Sequence, residues 1–315
     1  MKIIFIGTPK IAVPSLKTLA DSKHEIACVI TMPDKAAGRG CEVKFSPVNE
    51  EALNLGLNIL QPEKIGDEET INQIEQMDAD LLVVVAYSQK IPTRLLNYKN
   101  GCINLHPSLL PKYRGADPIR GPILNGDKKT GVTIMQMADK LDSGDILAQK
   151  EIEIEQKETA ITLEPKLSSL GASMLVDVID RIENGSITKI KQNEEESTYV
   201  SQITKQSGQI DFNKSAAYIE RQIRALNPWP SAFTSLDGKT FKIWDGDVLD
   251  EKEVDCNTSD AENGSVVFSD KKNIYIKCGE GLLKLNDVQL EGKKRMSIEE
   301  FLRGKKIDRG FIFGR

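Results

Sequence analysis

Short apolar runs alternate with segments of helical periodicity in the first half of this 315-residue chain. The runs are rich in Ile, Val and Leu, which is typical of strands that are buried on both faces of a parallel sheet. They predict strands at residues 2–7, 25–31, 58–60, 81–86 and 102–105, with helices between them at residues 13–20, 48–56 and 67–77. This order of elements predicts an α/β fold with a doubly wound, mostly parallel, Rossmann-like sheet.

Two more strands and a long helix extend this first domain, which we predict to comprise residues 1–189. The strands are predicted at residues 131–137 and 146–154, and the second alternates apolar with acidic side chains. Apolar residues then recur at helical spacing from residue 159 to residue 184, and Gly185 is placed to end that helix.

A polar segment, residues 190–206, is predicted to be a linker because it contains few apolar residues. Beyond it, residues 207–315 begin with a predicted helix at 215–226 and continue as short apolar runs between Gly, Asp and Asn turns. Such spacing predicts a small OB-like β-barrel, a fold that often binds single-stranded or irregular nucleic acid.

Composition and charge exclude several classes of function. The formal net charge of −5 argues against a generally basic nucleic-acid binder, although a local basic face remains possible. No run of about 18 apolar residues occurs and the first residues predict a strand rather than a signal peptide, so we expect a cytoplasmic protein without a membrane span. The five cysteines form no paired motif and only two histidines occur, so we expect no metal site. No dinucleotide fingerprint follows the first strand, so we expect no nicotinamide cofactor.

Candidate chemistry is concentrated where the strand at residues 102–105 ends. Asn104 and His106 are two residues apart on that strand, so their side chains share one face. An amide donor beside an imidazole, followed by a stiff loop with three prolines, suits a reaction in which an oxyanion forms and a proton moves. A lone histidine at a strand end is more often structural, but Asp142 follows another apolar run and supplies a carboxylate. The three residues therefore predict an acyl-transfer or proton-transfer site.

Two segments, a long loop and a basic tail, raise the question of an RNA partner. Residues 32–47 form a loop longer than the usual α/β connection, and Arg39 stands there between two glycines. A solvated surface loop explains this segment equally well. From residue 293 to residue 315 there are eight basic and three acidic residues, among them Lys293, Lys294 and Arg295. Such a tail suits phosphate contacts, but it also occurs as a solubility feature.

The motifs resemble those of the methionyl-tRNA formyltransferases over essentially the full length. The first half also resembles the wider family of 10-formyltetrahydrofolate-dependent formyltransferases. The resemblance rests on Asn104-x-His106, the SLLP segment at residues 108–111, the RGA segment at residues 114–116 and the LDSGD segment at residues 141–145. The opening GTP with VPSL, the long loop and the second domain resemble the tRNA enzymes in particular.

The resemblance implies that the formyl group of 10-formyltetrahydrofolate is transferred to methionine on initiator tRNA by a monomeric enzyme. It implies catalytic roles for Asn104, His106 and Asp142, with no metal. It implies folate binding by two segments, through Ser108, Leu109, Leu110, Pro111, Ala86, Tyr87 and Ile91. It also implies tRNA contacts by Arg39, Lys293, Lys294 and Arg295. A sugar-nucleotide N-formyltransferase with the same donor, and a folate-binding or RNA-binding protein without turnover, remain as alternatives.

Overall fold

The computed structural model describes residues 1–37, 42–254 and 260–314, and the chain forms two compact units. The first comprises Met1–Pro118, Lys129–Glu153 and Glu164–Val200, and the second comprises Ile119–Lys128, Ile154–Leu163 and Ser201–Arg315. The predicted linker, residues 190–206, is thus divided between the units at Val200. The second unit also takes in two short segments that the sequence placed within the predicted first domain.

The strands of the first unit include those predicted from the apolar runs in the sequence. They are β1 (Lys2–Gly7), β2 (Glu25–Ile30), β3 (Lys35–Ala37), β4 (Glu42–Lys44), β5 (Ile59–Leu60), β6 (Leu81–Val85), β7 (Cys102–His106), β8 (Arg114–Gly115), β9 (Lys129–Gln136), β10 (Ile146–Glu153) and β11 (Tyr199–Val200). The main sheet has the order β10-β9-β7-β6-β1-β2-β5. Its pairs are parallel from β7 to β5, whereas β9 is antiparallel to both β7 and β10. The predicted mostly parallel α/β sheet is confirmed.

Local sequence signals mark the ends of some of the helices. They are α1 (Val13–Ala20), α2 (Pro47–Asn54), α3 (Glu68–Gln76), α4 (Thr93–Leu96), α5 (Arg120–Asn125), α6 (Ala160–Glu183), α7 (Ala216–Ala225) and α8 (Ile298–Gly304). Ser46 caps α2 by accepting a hydrogen bond from the Asn49 backbone N–H, at 3.1 Å. Gly185 ends α6 with a φ of 73°, the left-handed conformation that glycine adopts without strain. None of the described helices combines the length and apolar character that crossing a membrane requires.

The carboxyl ends of the central parallel strands lie at one edge of the sheet. The register between neighbouring strands determines which residues lie side by side at that edge. Strand β1 lies between β2 and β6, so the winding of the chain reverses between β1 and β6. Ligands of open α/β sheets bind at such a reversal, beyond the strand ends. Val84 of β6 pairs with Asn104 of β7, which places the residue after β6, Ala86, level with His106. The core beneath this edge is fully buried, so the strand ends are held rigidly.

The second unit is built on an antiparallel sheet with the order β12-β13-β16-β15-β14, in which β17 also pairs with β16. Its strands are β12 (Ala232–Leu236), β13 (Lys239–Leu249), β14 (Val266–Ser269), β15 (Ile274–Lys277), β16 (Leu282–Leu290) and β17 (Met296–Ser297). The core includes Phe241, whose ring centroid lies 5.3 Å from that of Phe301 and 5.4 Å from that of Phe313. The predicted small β domain is confirmed.

Candidate active site

Strand β7 presents Asn104 and His106 at the carboxyl edge of the sheet. The two side chains lie on the same face because they are two residues apart on a strand. His106 is almost completely buried, whereas Asn104 is partly exposed. In the part of the chain that the structure describes, the Asn104 amide makes no side-chain hydrogen bond. This amide is therefore available to donate to a ligand.

The two ring nitrogens of His106 have different partners. Its Nε2 lies 2.9 Å from the Tyr113 carbonyl oxygen, which can only accept, so Nε2 carries a proton. Its Nδ1 lies 3.8 Å from Oδ2 of Asp142. Nδ1 is therefore the nitrogen that remains for chemistry, and it faces a carboxylate.

Asp142 lies in the turn between β9 and β10, in a left-handed conformation with a φ of 47°. Its Oδ2 accepts a hydrogen bond from the Gly115 N–H at 2.8 Å. On the same turn, the Asp145 carbonyl oxygen accepts from the N–H of Gln136, the last residue of β9, at 2.9 Å. The structure thus brings the predicted residues His106 and Asp142 together, with Asn104 beside His106 on the same strand face.

The SLLP loop at residues 108–111 is tied to the sheet through its backbone. Thr133 Oγ1 donates to the Ser108 carbonyl oxygen at 2.7 Å and accepts from the Leu110 N–H at 3.1 Å. Gln149 Nε2 donates to the Leu110 carbonyl oxygen at 2.9 Å. The Ser108 side chain is fully buried and donates to the Lys112 carbonyl oxygen. The loop is consequently a rigid wall, and its partly exposed residues are Leu109 and Pro111.

The segment after β6 contains the other residues predicted to bind folate. Ala86 is exposed at the sheet edge, with a φ of 51°. The Tyr87 ring packs against the apolar core, and burial raises the pKa of its hydroxyl to about 12. Ile91 is buried in the same core. Ala86 is therefore the member of this set with an exposed side chain, whereas Tyr87 and Ile91 support the segment from beneath.

The residues predicted to bind tRNA have different surroundings. Arg39 lies outside the described residues. Lys293 and Lys294 are exposed in the second unit. Arg295 is committed to a local cluster: its Nη2 lies 2.6 Å from Asp287 Oδ2, and its guanidinium lies over the Trp244 ring, 5.3 Å from the centroid. The charge of Arg295 is thus already paired, which leaves the two lysines as the stronger candidates.

A network of polar residues that the sequence did not reveal surrounds the Asp142 turn. Arg114 is fully buried, and its guanidinium donates to Gln192 Oε1 and to both carboxylate oxygens of Glu194. Hydrogen bonds from Arg114 and Lys140 lower the pKa of Glu194 to about 2. Gln192 and Glu194 belong to the segment predicted as a linker, where nothing in the residue pattern signals a role at the site.

Comparisons with known proteins agree with this architecture. The family model described as formyl transferase matches residues 1–179, and the model for the formyl transferase C-terminal domain matches residues 202–306. The methionyl-tRNA formyltransferase of Lachnospira eligens is 47% identical over 315 residues, with 100% of both chains covered. That of Alkaliphilus oremlandii is 44% identical over 315 residues, again with 100% of both chains covered.

Solved structures of similar fold are more distant in sequence. The sugar 3N-formyl transferase WlaRD superposes with a TM-score of 0.67 at 24% identity, covering 93% of this chain and 99% of that chain. An N-formyltransferase from Helicobacter canadensis gives a TM-score of 0.65 at 23% identity, covering 90% and 98%. At this identity the likeness establishes the fold alone, and the full-length sequence relatives decide the family. The chain belongs to the methionyl-tRNA formyltransferase family.

Proposed function

We propose that this protein transfers the formyl group of 10-formyltetrahydrofolate to the α-amino group of methionine on initiator tRNA. The observation that carries the proposal is the pairing of His106 with Asp142, beside an Asn104 amide that no described residue engages, in a chain whose full-length relatives bear this name. In the reaction, a bond forms between the amine nitrogen and the formyl carbon, and the bond from that carbon to N10 of the folate breaks. One proton leaves the amine and one proton is gained by N10.

Asn104 stabilises the negative charge that gathers on the formyl oxygen when the amine attacks. Its amide N–H groups are not used by described residues, and it stands on a rigid strand. A donor that is already oriented needs no rearrangement as the charge develops, and loss of one such donor typically costs about 10²–10³ in rate.

His106 and Asp142 transfer the proton that leaves the amine. Because Nε2 is held by the Tyr113 carbonyl, Nδ1 exchanges the proton. The 3.8 Å between Nδ1 and Asp142 Oδ2 is too long for a direct hydrogen bond, so a water or the reacting group bridges them. When Nδ1 carries a proton, the imidazole can donate it to the formyl oxygen or to N10.

Folate binds against the loop at residues 108–111 and the exposed end of β6 at Ala86. Leu109 and Pro111 offer apolar contact, and Ala86 lies level with His106 at the sheet edge. Ser108 and Leu110 shape the loop through their buried hydrogen bonds, while Tyr87 and Ile91 support Ala86. The co-substrate is thus placed beside the nitrogen that transfers the proton.

The acceptor RNA is held by basic side chains. Lys293 and Lys294 are exposed and lie next to the cation and aromatic cluster of Arg295 and Trp244. Arg39 acts at the aminoacylated end of the tRNA, as the family resemblance implies. The enzyme works as a monomer in the cytoplasm, and light scattering of the purified chain should give a mass close to 34.9 kDa.

A competition assay tests the proposal. The full chain is incubated with 10-formyltetrahydrofolate, methionyl-initiator tRNA and an amino-sugar nucleotide, and both formylated products are quantified. We expect formyl-methionyl-tRNA to be the dominant product, and we expect it to be almost absent with His106→Ala. Preferred formylation of the sugar nucleotide, or full activity of His106→Ala, would refute the acceptor or the catalytic assignment respectively.

A further inference from the structure

Residues 190–200 form a polar segment, here called the strap, that lies along the loop after His106 and along the Asp142 turn. It begins with Ile190, which exchanges two backbone hydrogen bonds with Ile146 at the start of β10. It ends with β11, which pairs in parallel with β8. Both ends of the strap are therefore fixed to the first unit, on either side of Asp142.

Gln192 connects the strap directly to the Asp142 turn. Its Nε2 donates to the carbonyl oxygen of Asp142 at 2.8 Å and to that of Gly144 at 2.7 Å. Its Oε1 accepts from the buried Arg114 through Nε at 3.1 Å and Nη2 at 2.8 Å. All four contacts require this orientation, because a flipped amide would set oxygen against two carbonyls and N–H groups against a guanidinium.

The strap is held in place by its hydrogen bonds and ion pair with the Arg114 guanidinium. The Arg114 guanidinium is fully buried and also contacts Glu194, which pairs with Lys140 at 2.5 Å, and the Tyr199 hydroxyl. While the strap is in place the guanidinium is buried, so the loss of a single strap partner would leave a buried charge incompletely paired, which is unfavourable. Gln192 therefore presents its two donors from a rigid support.

The Asp142 turn needs such a support. Its left-handed backbone is less favourable than for glycine, although Asp adopts it more readily than most residues, and outside contacts help to hold it. One contact holds the carboxylate, from the Gly115 N–H at 2.8 Å. The Gln192 bonds hold the backbone carbonyls at both ends of the bend.

We propose that Gln192 is a positioning residue for Asp142, through which the strap sets the distance between the Asp142 carboxylate and His106. The proposal rests on the catalytic role assigned to Asp142 above. Since Gln192 would act through Asp142 and not on the substrates, its loss should lower kcat and leave the KM values for folate and tRNA within about twofold.

Gln192→Glu is the variant that best separates the two functions of the Gln192 side chain. A glutamate keeps the oxygen acceptor for Arg114, and with it the anchoring of the strap, but it removes both donors to the Asp142 turn. We expect kcat to fall by about 10- to 100-fold, since a misplacement of about 1 Å can cost about 10² in rate. The melting temperature should fall, because a carboxylate oxygen would face the Asp142 and Gly144 carbonyl oxygens, so kcat is measured at a temperature where the variant is folded. Asn193→Asp is the matched control: it adds the same charge one residue along and keeps the oxygen that accepts the Glu195 N–H.

A double-mutant cycle with Asp142→Asn separates this inference from the proposed function. If Gln192 acts through Asp142, Gln192→Glu should reduce kcat in the wild type but have little further effect in the Asp142→Asn background. An equal fold-loss in both backgrounds would overturn the positioning role while leaving Asp142 catalytic. Full activity of Asp142→Asn would instead overturn the catalytic assignment, and the positioning role with it.

A second variant tests whether a folding defect explains the loss of activity. Gln192→Ala removes the same donors without adding a charge, and its circular dichroism and melting curve report whether the strap is needed for folding. A folded Gln192→Ala with reduced kcat and unchanged KM values supports the proposal. Unfolding of both variants would assign Gln192 to stability alone and would overturn it.

Discussion

Replacing Gly144 with alanine tests whether the position of the Asp142 turn controls the reaction. A Cβ atom at Gly144 would lie 1.7 Å from the Gln136 carbonyl oxygen, whereas real Cβ atoms essentially never approach within 3.0 Å. The turn or the strand must therefore move by about 1.3 Å. Gln136 is the last residue of β9, which is paired on both sides, so the turn is the part that shifts.

The size of the effect follows from the distances within the site. Asp142 is held 2.8 Å from the Gly115 N–H and 3.8 Å from His106 Nδ1. A displacement of about 1 Å at a catalytic group can cost about 10² in rate. We therefore expect Gly144→Ala to lower kcat/KM for formylation by about 100-fold.

The assay measures initial rates of formyl-methionyl-tRNA formation with both substrates varied, together with a melting curve. Gly66→Ala is the matched control, because a Cβ there would meet nothing within 4 Å. The control should retain wild-type rates. If Gly144→Ala kept more than a third of wild-type kcat/KM, the reasoning from the position of Asp142 would be refuted.

Three further outcomes are expected. Asn104→Ala should lower kcat by about 10²–10³ without changing the melting temperature, and a loss below tenfold would exclude its role as oxyanion donor. Joint replacement of Lys293 and Lys294 by alanine should raise the KM for tRNA and reduce the slope of log affinity against log salt by about 1–2; an unchanged slope would contradict phosphate contacts. Because hydrogen bonding, first from Arg114, lowers the pKa of Glu194 from 4.5 to about 2, its stabilisation is complete above about pH 4.5 and is lost as the pH falls through about 2. The melting temperatures of the wild type and Glu194→Gln should therefore converge on acidification over that range, and a constant difference would argue against this ion pair.

The sheet and the ends of its strands could be predicted from the sequence because burial on both faces produces uninterrupted apolar runs. Asn104 and His106 could be placed on one face by counting along β7. Asp142 could be added because it follows another strand, and strand ends often meet at one edge. These inferences depend on local periodicity, which a single sequence displays directly.

The strap could not be predicted in the same way. Gln192 bonds to Arg114, 78 residues earlier in the chain, and it does so from a segment without apolar periodicity. A polar segment next to a predicted domain end favours a linker on composition alone. The charge of the tail was also overestimated by counting, since Arg295 pairs with Asp287 and Lys305 pairs with Asp237, two carboxylates outside the tail.

Arg114 explains why a strap with few apolar residues remains ordered at this site. Each hydrogen bond to the strap contributes only about 1 kcal/mol, but stranding a buried guanidinium costs several times as much. A methionine at this position could fill the space and maintain stability. It could not donate to Gln192 Oε1, however, so the Gln192 amide would be held only by its own two bonds to the Asp142 turn. The buried charge is therefore explained by the geometry that it imposes on Asp142 rather than by the stability that it adds.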